Sequence, residues 1–360
     1  MDATELLAQC RAHLHRSEDA ELRESIRWIE REPLNPDRFY RAAELCWERG
    51  CHDLWQSVAH VAVGLPHVTY QQLFHRGETK LTLGDWSGWV DREARLFNPE
   101  HSIFHSEAWS VRWAKRPWDG KENISDKTLF IVPDGSHGDC LQMMRYVPGV
   151  ASVADRVILG VGSELLTLAE HNFGSMVTVV TCDAQRPAQL PVNGVELSTK
   201  YHRYAWIMSL PAILGGPPPF VPLHAPRPGS REDVDPQRLQ IGLCWARQRD
   251  GLESMFERND VQWHTLQLAG TFADAANFMM SLDGVVSTDT TIAHLAGALG
   301  IPTVLIVPKA DPRWGLADTT PWYPSMRLIR PFTPSDWSGV IDQLALQLGA
   351  TGEKLARRAQ

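Results

Sequence analysis

The stretch LDGVVSTDTTIAHLAGALGIPTVLIVP, Leu282 to Pro308, decides how the rest of the chain is read. Gly284–Ser287 is a short apolar run, of strand length rather than helix length. A polar turn follows, Asp289-Thr290-Thr291. Apolar positions then fill Thr291–Leu299, Gly300 stops the helix, and Thr303–Val307 is a second apolar strand. Strand, turn, helix, glycine and strand make the unit of a parallel sheet covered by helices. The turn sets Thr290, Thr291 and unpaired main-chain amides at a helix N-terminus, where the positive end of the dipole suits a phosphate or diphosphate. It also lies at the carboxyl end of a strand, where open α/β sheets bind ligands. Asp289 or Thr290 can equally serve as a helix cap, and the two roles are compatible. His294 stands one turn in, and Gly297 lets the helix pack closely.

The same alternation runs through the chain from residue 127. Lys127–Pro133, Arg156–Gly160 and Met176–Thr181 read as strands, with helices over Cys140–Tyr146 and Glu164–Glu170. Gly215-Gly216-Pro217-Pro218-Pro219, with Pro222, Pro226 and Pro228 beyond, interrupts both periodicities and reads as a linker. A second α/β portion follows: strands Gln240–Trp245, Val261–Gln267, Gly284–Ser287 and Thr303–Val307, helices Asp274–Ser281 and Thr291–Leu299, and a last helix Asp336–Leu348.

Residues 1–110 read as helices. Leu6, Leu7, Cys10, Leu14 and then Leu22, Ile26, Ile29 recur at helical spacing. Sliding the sequence by 34 positions lays Tyr40 on Phe74, Ala43 on Gly77, Trp47 on Leu81, Gly50 on Gly84 and Trp55 on Trp89. Asn35-Pro36 returns as Asn98-Pro99. That period, with a glycine between two apolar helices, is the tetratricopeptide spacing. An unrelated helical bundle is the competing reading. The expected division is 1–110 helical repeats, 111–225 a first Rossmann-like domain and 226–360 a second.

The composition excludes several classes. Apolar residues make up 43% of the 360 positions, as in globular proteins. Acidic residues outnumber basic ones, 43 to 35, for a formal charge of −8; this disfavours a sequence-independent nucleic-acid binder, which needs basic patches. No apolar run reaches the roughly 20 residues that span a bilayer, and no secretory signal opens the chain. Six cysteines are scattered without a CxxC pair, which reads as a cytosolic protein without a zinc site. The 14 tryptophans read as packing at repeat and domain junctions, with sugar stacking as the sharper alternative.

The Asp289-Thr290-x-x-x-His294-x-x-Gly297-Ala-Leu-Gly300 pattern resembles that of glycosyltransferase family 9 and the heptosyltransferases. The chain is further similar to bacterial proteins that join tetratricopeptide repeats to such a domain. Asp85-Trp86-Ser-Gly-Trp89, Trp118-Asp-Gly120, Gly138-Asp139-x-Leu-Gln-x-x-Arg145-Tyr146, Gly242-Leu-Cys-Trp245-Ala246 and Pro321-Trp-Tyr-Pro324-Ser-Met-Arg327 carry that likeness over residues 35–345. The resemblance implies a GT-B fold, two Rossmann-like domains with a nucleotide-sugar donor held mainly by the second. It also implies inverting, metal-independent transfer without a cofactor. Asp139 matches the aspartate proposed as general base on the acceptor; a carboxylate there can take the acceptor's proton.

Other readings of these residues stay open. Asp134 and His137 are competing bases, and an Asp before a helix is often only a cap. Gly135 and Gly138 allow a backbone to approach a ligand closely. Arg247 and Arg249, after the strand ending at Trp245, would balance a departing diphosphate, with Lys309 a weaker candidate. The chain departs from the family pattern between Ala246 and Thr271, where the connection is short, and at Asp134-Gly-Ser-His137, where relatives often have Glu-Gln-Gly-Leu. The alternative function is a non-catalytic repeat adaptor with a degenerate transferase fold. The repeats point to a protein, peptide or glycan acceptor, since helical solenoids offer concave faces. A dinucleotide-binding dehydrogenase is disfavoured for want of a GxGxxG after a strand.

Overall fold

The structure is a computed structural model of the 360-residue chain, and it describes residues 19–97, 116–182, 201–227, 237–245, 260–268, 270–307 and 311–331, with single positions or short pieces at 8, 235 and 339–347. The expected helix around Leu6–Leu14, the second Asn-Pro at Asn98-Pro99, and most of the linker past Arg227 lie outside the described residues. The chain divides into two compact units. One comprises Met1–His101, Val307–Ala317 and Arg330–Val340; the other comprises Ser102–Ile306, Asp318–Ile329 and Ile341–Gln360.

The first unit is helical. Its described helices are α1 (Ala20–Arg31), α2 (Pro36–Glu48), α3 (His52–Gly64), α4 (Tyr70–Thr82) and α5 (Gly88–Arg92), the last running into a 3-10 turn. Side-chain oxygens of Asp19, Asn35 and Thr69 cap α1, α2 and α4 by accepting from main-chain N–H groups, which satisfies donors that helix starts otherwise orphan. The 34-residue self-match has a local structural counterpart. α2 and α4 have 13 residues each and begin in phase at Pro36 and Tyr70. Both end in the same hydrogen-bonded stop. Cys51 N–H donates to Cys46 O and Asp85 N–H to Lys80 O, each at 2.8 Å, around Gly50 and Gly84 at φ 71° and 86°. This is the Schellman ending, which needs a left-handed residue and so favours glycine.

Leu22, Ile29, Phe39, Leu45, Trp47, Leu54, Trp55 and Val58 bury one core between α1, α2 and α3. Leu316, from the segment after the eighth strand, packs against it. Arg330 secures that segment by donating to the main-chain oxygens of Trp314, Gly315, Leu316 and Ala317.

The second unit holds two separate parallel sheets. In the first, β1 (Thr128–Val132), β2 (Arg156–Val161), β3 (Thr178–Thr181) and β4 (Arg203–Trp206) take the order β3-β2-β1-β4. In the second, β5 (Leu239–Cys244), β6 (Val261–Thr265), β7 (Gly284–Thr288), β8 (Thr303–Ile306) and β9 (Met326–Ile329) take the order β6-β5-β7-β8-β9. All pairings within the second sheet are parallel. β1 and β7 are buried at every position, as a strand covered on both faces must be. Each fully buried Val, Leu, Ile or Phe is worth about 1.5–3 kcal/mol. The unit's described helices include α6 (His137–Met143), α7 (Val147–Ala151), α8 (Leu166–Phe173), α9 (Leu210–Leu214), α10 (Phe272–Met279) and α11 (Thr291–Ala298).

β4 and β9 were not expected from sequence. Each has only four residues, and the patterns Arg-Tyr-Ala-Trp and Met-Arg-Leu-Ile carry too little periodicity to separate a strand from a loop. Pairing with β1 and β8 is what extends them. No described helix is long and apolar enough to cross a membrane.

Candidate functional site

In each sheet the strand order reverses once. In the first, β2 and β3 lie on one side of β1 and β4 on the other; in the second, β6 lies on one side of β5 and β7 on the other. Parallel sheets open a crevice at the carboxyl ends of the strands flanking such a reversal. The two loops singled out in the sequence fall there: Pro133–Ser136 after β1, and Asp289–Thr290 after β7.

The loop after β1 is built around a helix cap. Gly135 has φ +88°, a left-handed conformation that strains any residue but glycine. Ser136 caps α6: its Oγ accepts from Asp139 N–H at 3.2 Å, and Asp139 Oδ2 accepts from Ser136 N–H and from Ser136 Oγ–H at 2.8 Å each. This reciprocal box fixes Asp139 at the start of α6, half-buried. The same device opens α10, where Thr271 and Asp274 form a second box after Gly270 at φ 103°. Capping therefore accounts for one oxygen of Asp139. A carboxylate offers roughly four acceptor positions on two oxygens, so the box is compatible with further work by the same group.

The competing bases are placed differently. Asp134 is 5% exposed, and its Oδ1 accepts from Met208 N–H at 2.9 Å. That bond ties the end of β1 to the turn after β4, so Asp134 serves the frame of the loop. His137 is the first residue of α6. Its Nε2 stands 3.5 Å from Glu164 Oε2, and its ring meets Phe272 edge-on at 5.4 Å, linking the starts of α6 and α10.

The loop after β7 is held from below. Thr290 is the N-cap of α11, accepting from Ala293 N–H at 3.4 Å. Its Oγ1 lies 3.0 Å from Ser287 Oγ and donates to Cys244 Sγ at 3.6 Å, joining the ends of β7 and β5. Thr291 is the half-buried first residue of the helix. The amide of Ala293 also donates to Thr290 O at 3.0 Å, which leaves those of Thr291 and Ile292 as the first-turn amides without a carbonyl partner within the helix, and the dipole adds partial positive charge. Asp289 and Thr290 are half-buried.

His294, in contrast, is 1% exposed. It lies under the turn rather than on its surface. Its Nε2 is 3.7 Å from Asp289 Oδ1 and its Nδ1 is 3.1 Å from Tyr323 Oη. The ring is pressed against α6, where a Cβ on Gly138 would come within 2.7 Å of His294 Cδ2. A Cβ on Gly297 would come within 2.5 Å of the Tyr323 ring. Glycine at 138 thus allows close packing of α6 on α11, and glycine at 297 that of α11 on Tyr323 and Met326, as the sequence expected at 297.

Arg145, part of the quoted Gly138–Tyr146 motif without a role, sits just beyond α6. It donates to the main-chain oxygens of Pro321 (3.2 Å), Trp322 (2.8 Å) and Pro218. Tyr323 stands in the quoted Pro321–Arg327 motif, but sequence reasoning did not find it as a neighbour of His294. Arg247, Arg249 and Lys309 lie outside the described residues. Among the described residues no group of three His, Cys, Asp or Glu could hold a metal ion.

No protein-family model matches the chain, and no curated protein matches it. Among solved structures it is similar to the iron-containing dodecameric glycosyltransferase TibC of enterotoxigenic E. coli, with TM-score 0.41 and 16% identity over 66% of this chain and 79% of that one. It is also similar to the E. coli heptosyltransferase WaaC, solved with ADP-2-deoxy-2-fluoro heptose, with TM-score 0.39 and 12% identity over 62% of this chain and 99% of that one. A glycosyl transferase family 9 protein of Veillonella parvula gives TM-score 0.37 and 9% identity over 59% of this chain and 88% of that one.

Proposed function

We propose that the chain is a GT-B glycosyltransferase that moves a sugar from a nucleotide-sugar donor to an acceptor, with inversion and without a metal ion or cofactor. The observation that carries this reading is the pairing of two strand-end turns across one contact. The turn opening α6 bears Asp139, the turn opening α11 bears Thr290 and Thr291, and Gly138 and His294 join the two helices. A diphosphate at the α11 turn would be met by main-chain amides and the helix dipole, with Arg247 and Arg249 as the cations following β5. Asp139 would take the acceptor's proton as the acceptor oxygen attacks the sugar carbon, and the nucleoside diphosphate would leave with the bonding pair. The helical unit, read as tetratricopeptide-like repeats, would hold a protein, peptide or glycan acceptor; the protein would act in the cytoplasm.

A screen of nucleoside diphosphates and their sugars by thermal shift tests the donor site. A binder raises the melting temperature with the logarithm of its concentration over its Kd. No shift with any of them at millimolar concentration would sink the proposal. One observation favours the adaptor reading instead: the box around Asp139 recurs at Thr271–Asp274, where no catalytic role is proposed. A protein that binds a nucleotide yet never transfers its sugar would match that alternative.

A further inference from the structure

The helical unit is made of three pieces of chain, and two of them adjoin strands of the second sheet. Val307–Ala317 follows β8, and Arg330 follows β9 directly. The described part of the first piece is a compact turn. Trp314 N–H and Gly315 N–H donate to Asp311 O at 3.1 and 2.9 Å, and Arg313 N–H donates to Asp311 Oδ1 at 2.8 Å. Arg330 holds the same turn through the main-chain oxygens of residues 314–317, at 2.6 Å to Ala317 and 2.8 Å to Gly315. One residue further on, Asp318 O accepts from Leu328 N–H of β9 at 2.8 Å.

This turn lies against the helices. Leu316 packs on the cluster that α1, α2 and α3 bury, as does Leu83 just after α4. A Cβ on Gly315 would stand 3.7 Å from Thr82 O, at the last residue of α4, and Trp314 is 1% exposed. The charges of Asp311 and Arg313 act on Glu78 of α4. A stack of helices buries its apolar face only against a neighbour, and the end of the stack needs a cover. A neighbour of this cluster is a segment that lies, in sequence, between two strands of the second sheet.

We propose that the β8–β9 crossover is the closing element of the helical unit: the helices do not fold as separate repeats but keep their structure only while the crossover is held in place by Arg330 and β9. A linker decouples two folded parts by its length. Here the bonds leave no such length. Ala317 O is bonded to Arg330 and the next carbonyl, Asp318 O, to β9, while Arg330 itself is the first residue past that strand. The turn therefore moves away from the helices only if the end of β9 gives way or the Arg330 bonds break. This coupling goes beyond the donor-site reading and does not depend on it.

Hydrogen exchange read by mass spectrometry on the full-length chain, without ligand, tests this. Leu316→Ala removes the apolar contact with the helical cluster, and Arg330→Gln removes the guanidinium that holds residues 314–317. In either variant the amides of α1–α3 should exchange about tenfold faster than in the parent chain or more, the scale of a lost hydrogen bond to a charged group or of a truncated apolar side chain. The amides of β1 should keep the parental rate. Arg203→Gln is the control. Arg203 donates to both oxygens of Glu122, at 2.6 and 2.8 Å, from β4 of the first sheet, and its loss should leave α1–α3 at the parental rate. Parental exchange of α1–α3 in either Leu316→Ala or Arg330→Gln overturns the proposal. So does exchange of α1–α3 that is equally fast in Arg203→Gln, since helices that respond to any weakening of the chain need no closing element. If Leu316→Ala yields no folded protein, Arg330→Gln decides alone.

Discussion

A Cβ added to Gly138 would stand 2.7 Å from Cδ2 of His294, closer than real Cβ contacts come. Residue 138 opens a helix of the first sheet's layer and residue 294 belongs to a helix of the second. The histidine is 1% exposed and its Nδ1 lies 3.1 Å from Tyr323 Oη, which limits how far the ring can shift.

Gly138→Ala should therefore cost stability. Forcing a methyl into a packed interior costs about 1–3 kcal/mol, against a helix-propensity gain of at most about 1 kcal/mol. The expected result is a lower melting temperature together with weaker diphosphate binding. Gly149→Ala is the control: no atom lies within 4 Å of the added Cβ, and this variant should melt at or slightly above the parent temperature. Equal melting of Gly138→Ala and the parent chain would show that α6 and α11 do not press on each other.

Asp139→Asn should separate capping from chemistry. Asn keeps the size and an acceptor oxygen, so the cost in stability should stay within about 1 kcal/mol. Loss of a general base lowers turnover by roughly two to four orders of magnitude. Asp274→Asn makes the same change in the matching box of α10, and its turnover should equal that of the parent chain. Normal rates in both variants would move the base away from Asp139, with His137 next to be tested.

A third expectation concerns pH. Asp91 is 10% exposed and sits between Arg76, which donates to both of its oxygens at 2.8 and 2.6 Å, and Lys80 at 2.8 Å. Burial pushes its pKa up, but the guanidinium and the ammonium outweigh that and hold the carboxyl below its ordinary value. A depressed folded-state pKa means stability that is present above the unfolded value and lost as pH falls through the folded one. Asp91→Asn should cost about 1–3 kcal/mol near pH 7, in the range of charge-assisted hydrogen bonds. The gap between variant and parent should close as pH drops well below the ordinary carboxylate range. Urea unfolding from pH 7 to pH 2.5 reads this directly, and a gap independent of pH would show that the ion pair contributes nothing.

Sugar transfer should survive a chelator. In the proposed site the departing diphosphate is neutralised by α11 amides and by Arg247 and Arg249, which replace the charge a divalent ion would supply. Activity abolished by EDTA and restored by magnesium or manganese would show that neutralisation was assigned to the wrong groups.

Much of this was legible along the chain. The apolar runs at Leu129–Val132 and Val285–Val286, each followed by a polar turn and a helix, encode parallel strands because strands buried on both faces need continuous apolar sequence. Thr290 announced a helix start, and a helix was expected at Cys140 after Asp139, although it begins at His137 with Ser136 as its cap. Gly50 and Gly84 announced two matched helix ends, because a left-handed stop favours glycine. All of these are local interactions, written within a few neighbouring positions.

Contacts between distant residues were not legible. The sequence offers Asp134 and His137 as alternatives to Asp139, and only the pairing of β1 with β4 brings Met208 N–H to Asp134. Nor does the sequence show that Tyr323, 29 residues later, and Gly138 pack against His294, the residue the motif assigns to donor binding. The sequence by itself determined most of the strands and helices, β4 and β9 excepted, and where polar turns stand at strand ends. Only the tertiary structure decided which polar side chains of those turns stay half-exposed, as Asp139, Thr290 and Thr291 do, and which are buried. Burial depends on what packs from elsewhere in the chain, and no local pattern encodes that.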